Sequence, residues 1–280
     1  MKKKAYAKVN LGLKVIGKRN DGYHNLEMVM ARVSLYDTLI FKKFDTISVE
    51  CPGVREEDNL IYKIAKYLKE NYSVNTGVKI TVIKRIPVMA GLGGGSSDGA
   101  EAIKGLNEFW GLSMSQEEMV KVSLLFGSDI PFFLSKGPSF VSGRGEEVSK
   151  INIKKPLNLL LIKPEVGFKT KEIFSSIEKH SNKGELNKLI DSLNNGEDLN
   201  GISNDLESAL DDNKKGIVNS IKGDLVAYGA KYTLMSGAGS CVFGVFDSLK
   251  KAKKAYKELS LFYEVYLVKT IGWFKNVYLL

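Results

Sequence analysis

From Pro87 to Gly111 the chain reads PVMAGLGGGSSDGAEAIKGLNEFWG, which sets four glycines and two serines directly ahead of a helical pattern. GVKITVIKRIP (77–87) alternates as a strand does and Pro87 stops it, while Ala100, Ile103, Leu106 and Phe109 with Trp110 recur at helical spacing until Gly111. Strand, bulk-free loop and helix must therefore follow one another here. Successive glycine N–H groups approach an anion closely, and the helix N-terminus adds partial positive charge and unpaired donors. An ordinary strand-to-helix turn needs one or two glycines, so this one reads as an anion seat.

Two common phosphate motifs do not fit it. A Walker A loop needs a lysine after its last glycine, and here Gly95 is followed by Ser96 and Ser97. A dinucleotide fingerprint needs G-x-G-x-x-G; counting from Gly91 puts Ser96 at the third glycine, and counting from Gly93 puts Asp98 there, whose charge would repel a pyrophosphate. A cation serving this loop has to come from elsewhere in the chain.

Around the loop, strands alternate with helices. AYAKVNLGLKVIG (5–17) alternates with Val9, Leu11, Leu13 and Val15 on one face, and DTLIFKKF and TISVEC continue a β-rich start. EDNLIYKIAKYLKENY (57–72) switches to a helical stripe that Asp58 or Asn59 can cap, and SMSQEEMVKVSLLFG (113–127) opens with a capping-box pattern at Ser113 or Ser115. GSDIPFFLSKGPSFVSGRGEEV (127–148) reads as a glycine-rich loop leading to the apolar strand PLNLLLIKP. A boundary near residue 152 gives domains 1–152 and 153–280. The second runs LNLLLIKP, TKEIFSSIEK, GIVNSIKGDLVAYG, AKYTLMSGAGSCVFGVF, LKKAKKAYKELS and YEVYLVKTIGW, an α+β sandwich pattern. Residues 180–215, rich in Asn, Asp, Ser and Lys, carry no periodic signal.

Composition serves mainly to exclude. With 41 Lys plus Arg against 32 Asp plus Glu the 280-residue chain carries a formal charge of +9, which favours an anionic ligand. The lysines of KKAKKAYKEL (250–259) have the spacing of the wet face of an amphipathic helix, which argues against a nucleic-acid partner. Cys51 and Cys241 lack metal-site spacing and read as buried free thiols of a reducing cytoplasm. Lys8, Asn10 and Lys14 interrupt the apolar start, no cleavage site follows, and no run of about 18 apolar residues occurs. A cytoplasmic, soluble protein with no membrane partner is expected.

PVMAGLGGGSSDGA is similar to the P-x-x-x-G-L-G-x-S-S box of the GHMP small-molecule kinases, the superfamily of galactokinase, homoserine kinase and mevalonate kinase. AKVNLGL (7–13) with DGYHNLE (21–27) resembles the first motif of that superfamily, GSDIPFF (127–133) its catalytic-aspartate segment, and MSGAGSCVFGVF (235–246) its third glycine-rich motif. DGYH points to the branch that phosphorylates 4-diphosphocytidyl-2-C-methyl-D-erythritol, an isoprenoid precursor. Departures are small: Gly99 stands where alanine is common, and Met28 where a hydroxyl residue is frequent.

The resemblance implies a two-domain α+β GHMP kinase architecture: an N-terminal α/β domain like the second domain of ribosomal protein S5, a C-terminal ferredoxin-like sandwich, and a site in the cleft between them. It also implies ATP as phosphoryl donor with Mg²⁺, and a small cytidylyl acceptor. Pro87, Val88, Met89, Ala90, Gly91, Leu92, Gly93, Gly94, Gly95, Ser96 and Ser97 would wrap the ATP phosphates. Composition makes a strand lysine such as Lys8 a solvated side chain and Asp129 a turn or N-cap residue; the resemblance makes Asp129 the general base and Lys8 the cation that keeps it ionised. Asn10, on the same strand face as Lys8, would meet the acceptor hydroxyl. Tyr23 and His24, with Thr170 and Phe174, would enclose the cytosine, and Ser236, Gly237, Ala238 and Gly239 would approach the acceptor phosphates. The sequence leaves open the Mg²⁺ contacts and the choice between monomer and weak dimer. Two competing readings are another GHMP kinase, of mevalonate or homoserine type, and a non-catalytic RNA-binding protein, which would have no need of Lys8 with Asp129.

Overall fold

The computed structural model describes residues 1–272, so Trp273, read above as the end of the last strand, lies outside the described residues. Compactness divides the chain into two units, neither a single stretch: Met1–Ala7, Leu35–Ile86 and Gly93–Ser135 in one, and Lys8–Ser34, Pro87–Leu92 and the chain from Lys136 onward in the other. The cut near residue 152 follows sequence order; compactness follows a different line. The strands β1 (Lys2–Lys18) and β2 (His24–Phe44) contribute residues to both units.

In the first unit β3 (Ile47–Glu50) runs parallel to β4 (Gly77–Ile83), whose other edge pairs antiparallel with β2 from Thr38 to Phe44. Helix α1 (Leu60–Asn71) is capped by Asn59, whose side chain accepts from the Ile61 N–H at 2.8 Å, and buries Ile61, Ile64, Ala65 and Leu68, one stripe at helical spacing. Helix α2 (Gly94–Trp110) begins inside the glycine run, earlier than the expected start at Asp98. Its N-cap, Gly93, is left-handed at φ 67°, a conformation that lets the chain turn into the helix without a Cβ clash. A Cβ on Gly105 would stand 2.3 Å from the Phe41 ring, so α2 lies directly against that side chain of β2. Helix α3 (Gln116–Leu124) has its capping box at Ser115 with Glu118. Residues 127–148 are not the loop expected: Ile130–Leu134 form the short helix α4, wholly buried, and two strands follow it. Five consecutive apolar residues gave no period to read.

Those strands, β5 (Ser139–Gly143) and β6 (Glu147–Lys150), belong to the second unit, where β5 pairs antiparallel with β2 from Leu26 to Met30. The rest of this unit is β7 (Asn158–Lys163), α5 (Thr170–Ser175), α6 (Asn187–Asn195), α7 (Asp212–Ala227), β8 (Tyr232–Met235), β9 (Val242–Phe246), α8 (Leu249–Leu259) and β10 (Glu264–Ile271). Its strands run antiparallel in the order β10-β7-β9-β8, the ferredoxin-like arrangement. Helix α8 buries Ala252, Ala255 and Leu259 and exposes its lysines, as the amphipathic spacing implied.

The polar stretch 180–215 is ordered along β1. Leu13 donates its N–H to Ser203 at 2.8 Å, Ser181 donates to the Val15 carbonyl at 2.8 Å, and the Val15 N–H donates to Asp205 Oδ2 at 2.9 Å. This cover explains why β1 is buried on both faces: Val9, Leu11, Leu13 and Val15 on one, Lys8 and Asn10 on the other. Lys8 is therefore not the solvated side chain that composition alone suggests for a strand lysine. Cys241 is buried as expected, whereas Cys51 is only half-buried.

Candidate active site

Lys8 is 4 % exposed, and its ammonium donates to the Asn10 side-chain carbonyl and, at 2.6 Å, to the Gly91 carbonyl. The same Gly91 oxygen accepts from Ser236 Oγ at 2.9 Å, and Ser236 Oγ in turn accepts from the Asn10 N–H at 3.3 Å. A Cβ on Gly237 would stand 3.0 Å from Lys8 Nζ, and one on Gly91 only 1.9 Å from the Ser236 carbonyl oxygen. Three motifs remote in sequence thus meet at one ammonium, with glycine at both points of closest approach. Two polar atoms here are buried without a partner, Asn10 Nδ2 and Ser240 Oγ. An orphaned buried donor costs about 1–3 kcal/mol, so such atoms point to a ligand that satisfies them. Ser236 is wholly buried and spends its hydroxyl on the scaffold, and Ala238 and Gly239 follow it in the same turn.

The segment 87–92 alternates in exposure: Val88 and Met89 face solvent, Ala90 and Leu92 are buried, and Pro87 is intermediate. It is sewn to the third glycine motif by Ser240 N–H to Met89 at 3.3 Å and Cys241 N–H to Ala90 at 3.2 Å.

In the other unit, Gly94, Gly95 and Ser96 form the first turn of α2, where backbone N–H groups lack helical partners. Nothing stands within 4 Å of a Cβ placed on Gly95, which leaves that N-terminal face open. Ser97 is buried and donates its hydroxyl to the Tyr6 carbonyl at 2.8 Å, fastening the helix start to β1. Asp98 follows, 5 % exposed, paired at 2.8 Å with Lys84, which also meets the wholly buried Asp37 at 2.5 Å. Burial pushes the Asp98 carboxyl up to about 7, against the pull of the Lys84 cation. Asp129 occupies the N-cap position of α4 with helical φ and ψ, and its half-buried carboxylate makes no capping hydrogen bond. Asp129 thus sits in a turn at a helix start, as composition suggested, but leaves its carboxylate free of capping.

Tyr23 is 52 % exposed at the β1–β2 turn, which Asp21 builds by accepting from the Tyr23 N–H at 3.1 Å. The Arg144 guanidinium lies 4.3 Å from its ring centroid. His24 and Phe174, both half-buried, lie with ring centroids 5.4 Å apart, and Thr170 opens α5 at an exposed position. Burial, then the neighbouring His180 and Lys18, hold the His24 imidazole below its ordinary range. A neutral imidazole presents one donor and one acceptor.

The GHMP kinase N-terminal family model matches residues 59–137, and the C-terminal model residues 177–265. Proteins called 4-diphosphocytidyl-2-C-methyl-D-erythritol kinase from Thermoanaerobacter pseudethanolicus and Clostridium beijerinckii are 41 % and 36 % identical to this chain over 97 % of it, covering 96 % and 100 % of their own lengths. The chain belongs to the 4-diphosphocytidyl-2-C-methyl-D-erythritol kinase family. A crystal structure of a 4-(cytidine 5'-diphospho)-2C-methyl-D-erythritol kinase superposes with TM-score 0.86 at 29 % identity, over 98 % of this chain and 100 % of that one. Methanococcus jannaschii mevalonate kinase, at TM-score 0.71 and 17 % identity over 97 % of this chain and 98 % of that one, shares the fold.

As a member of this kinase family the chain is a phosphotransferase with an alcohol acceptor, with the two-domain GHMP architecture, and the non-catalytic reading is set aside. Among the described residues no helix is long and apolar enough to cross a membrane. Two bracing residues, one in each unit, gave no functional signal in the sequence. Asn204 Nδ2 donates to the Met235 and Gly237 carbonyls, both at 2.8 Å, and so braces the third glycine motif from inside the polar stretch. Its only local signal is an N-cap asparagine, accepting from the Leu206 N–H at 3.0 Å. Lys84, three residues before Pro87, gave no signal beyond its place at a strand end.

Proposed function

We propose that this chain transfers the γ-phosphoryl group of ATP to the 2-hydroxyl of 4-diphosphocytidyl-2-C-methyl-D-erythritol, in the cytoplasm, on the non-mevalonate route to isoprenoid precursors. The observation that carries it is Lys8 with Asn10: a buried ammonium beside a buried amide donor, Nδ2, that no protein group satisfies. Burying a lysine is costly, and a charge that must develop on reacting oxygens justifies the cost.

The roles follow from the chemistry of each group. The open first turn of α2 and the glycine N–H groups bind phosphate oxygens. Asp129 is the base: its carboxylate takes the hydroxyl proton as the acceptor oxygen bonds to phosphorus and the bond from phosphorus to the ADP oxygen breaks. Lys8 offsets the negative charge that accumulates as this happens. Tyr23, with His24, Phe174 and Thr170, holds the cytosine by stacking and by hydrogen bonds to its edge. Ser236 serves as scaffold, so at the third glycine motif contacts to the acceptor fall to the backbone around Gly237–Gly239.

Magnesium fits as an ion carried by the nucleotide. Among the described residues no three His, Cys, Asp or Glu side chains gather to hold one, and magnesium in nucleotide sites is held by phosphate oxygens and water with one or two protein groups. Ser96, half-buried in the first turn of α2, is the hydroxyl assigned to it, because that of Ser97 is donated to Tyr6. When bound, the ion neutralises phosphate charge.

The test is turnover: protein, ATP and Mg²⁺ with the cytidylyl alcohol, mevalonate or homoserine, followed by detection of ADP and of the new phosphate ester. Ester formation from the cytidylyl alcohol alone is expected. Phosphorylation of mevalonate or homoserine in its place would overturn the proposal.

A further inference from the structure

The phosphate loop has no lysine of its own, yet a cation stands beneath it. Lys84 Nζ lies 3.5 Å from where a Cβ on Gly94 would be, directly under the first turn of α2. It bonds Asp98, in the next turn of that helix, at 2.8 Å and Asp37 of β2 at 2.5 Å. Asp37 is itself anchored, its Oδ1 accepting from the N–H groups of Arg85 at 2.5 Å and Ile86 at 2.9 Å. One ammonium therefore ties three things together: β2 at Asp37, the 84–86 segment and the start of α2. Ile86 adds packing from the same segment, its Cγ2 3.1 Å from the Gly94 Cβ position.

The charge count explains why the brace is a cation. Asp37 and Asp98 carry two negative charges when ionised, and the Lys84 ammonium pairs with both, in a position next to the proposed seat of a polyanion. Without that cation, the buried Asp37 charge would stand uncompensated beneath the phosphates and Asp98 would be driven to its protonated form. Asp98 Oδ1 is buried with no partner, and Asp98 is held from its other oxygen, Oδ2, by the Lys84 ammonium.

Given the phosphate-binding role proposed above for the start of α2, on which this depends, we propose that Lys84 is a positioning residue for the phosphoryl donor. It sets the start of α2 by holding Asp98, a role beyond neutralising that carboxylate. It acts on the nucleotide and not on the acceptor.

The test uses the full chain as Lys84→Met and as Lys84→Met combined with Asp98→Asn, the second variant removing the buried carboxylate that the first strands. Melting temperature, KM for ATP, KM for the cytidylyl alcohol, and ATP binding by calorimetry without acceptor are read for each. Lys84→Met is expected to lower the melting temperature and to raise the ATP KM and Kd about tenfold, a loss of one charge-assisted contact, with the acceptor KM within about twofold of wild type. The double variant is expected to recover the melting temperature and to keep the weakened ATP binding. Recovery of ATP affinity in the double variant would overturn the proposal, since Lys84 would then only neutralise Asp98; equal weakening of both substrates would overturn it too. Wild-type protein that binds ATP but does not phosphorylate the cytidylyl alcohol would count against the proposed function, while the calorimetric comparison would still decide the role of Lys84.

Discussion

The ammonium of Lys8 lies 2.6 Å from the carbonyl oxygen of Gly91, a residue 83 positions further along the chain. That oxygen is also the acceptor for Ser236 Oγ, so a single peptide carbonyl joins the first motif, the phosphate loop and the third glycine motif. Each of the three depends on the other two for its geometry.

Gly91→Ala is expected to be among the most damaging single-methyl changes in the protein. Gly91 has φ +68°, and an added Cβ would fall 1.9 Å from the Ser236 backbone oxygen, which cannot rotate away. Backbone strain and overlap together should exceed about 3 kcal/mol. Denaturant titration checks this; a midpoint equal to wild type would show that the loop moves apart at no cost.

For the chemical step, Lys8→Met and Asp129→Asn should each lower kcat by about 10²-fold or more while ATP binding changes little. Single-turnover kinetics alongside calorimetry separate the two effects. An unchanged kcat in either variant removes that residue from the mechanism.

Tyr23→Ala should raise the KM for the cytidylyl alcohol by roughly tenfold, the loss of one base–aromatic stack, with the ATP KM unaltered. Phe174→Ala should act in the same direction through its 5.4 Å contact with His24. Equal loss of ATP affinity would place the base-binding wall on the donor side.

Asn204→Ala leaves the Met235 and Gly237 carbonyls without their shared donor. A destabilisation of about 1–3 kcal/mol is expected, together with a loss of activity that a surface asparagine would not cause. Urea melts and turnover on the same samples decide it.

Cys241 should resist alkylation in the native state at pH 8. It is fully buried, and burial pushes its thiol up to about 12, so almost none is thiolate. Labelling in denaturant but not in buffer is the expected pattern; rapid native labelling would mean that the second unit opens locally.

Much of the fold was legible in local patterns. The stripe of α1, the Ser115 box of α3, the alternation of β1 and β4, and the strand and helix order of the ferredoxin-like part all depend on neighbours within a few residues. The order of the glycine motifs was legible for the same reason, because bulk-free turns are written locally. Where a pattern was absent the reading failed: α4 is too short and too uniformly apolar to show a period, and the first turn of α2 is hidden in glycines that disfavour helix.

What the chain determined alone was thus the elements and the motif types. Tertiary structure decided which polar groups are buried and whom they serve. It buried Lys8, because the Gly91 carbonyl and Gly237 close over its ammonium. It committed Ser97 and Ser236 to the scaffold, and it placed Asn204 and Lys84 behind the loops they brace. The physical reason is that burial and the identity of a hydrogen-bond partner are set by chain segments tens to hundreds of residues apart, and no local spacing encodes which carbonyl will arrive.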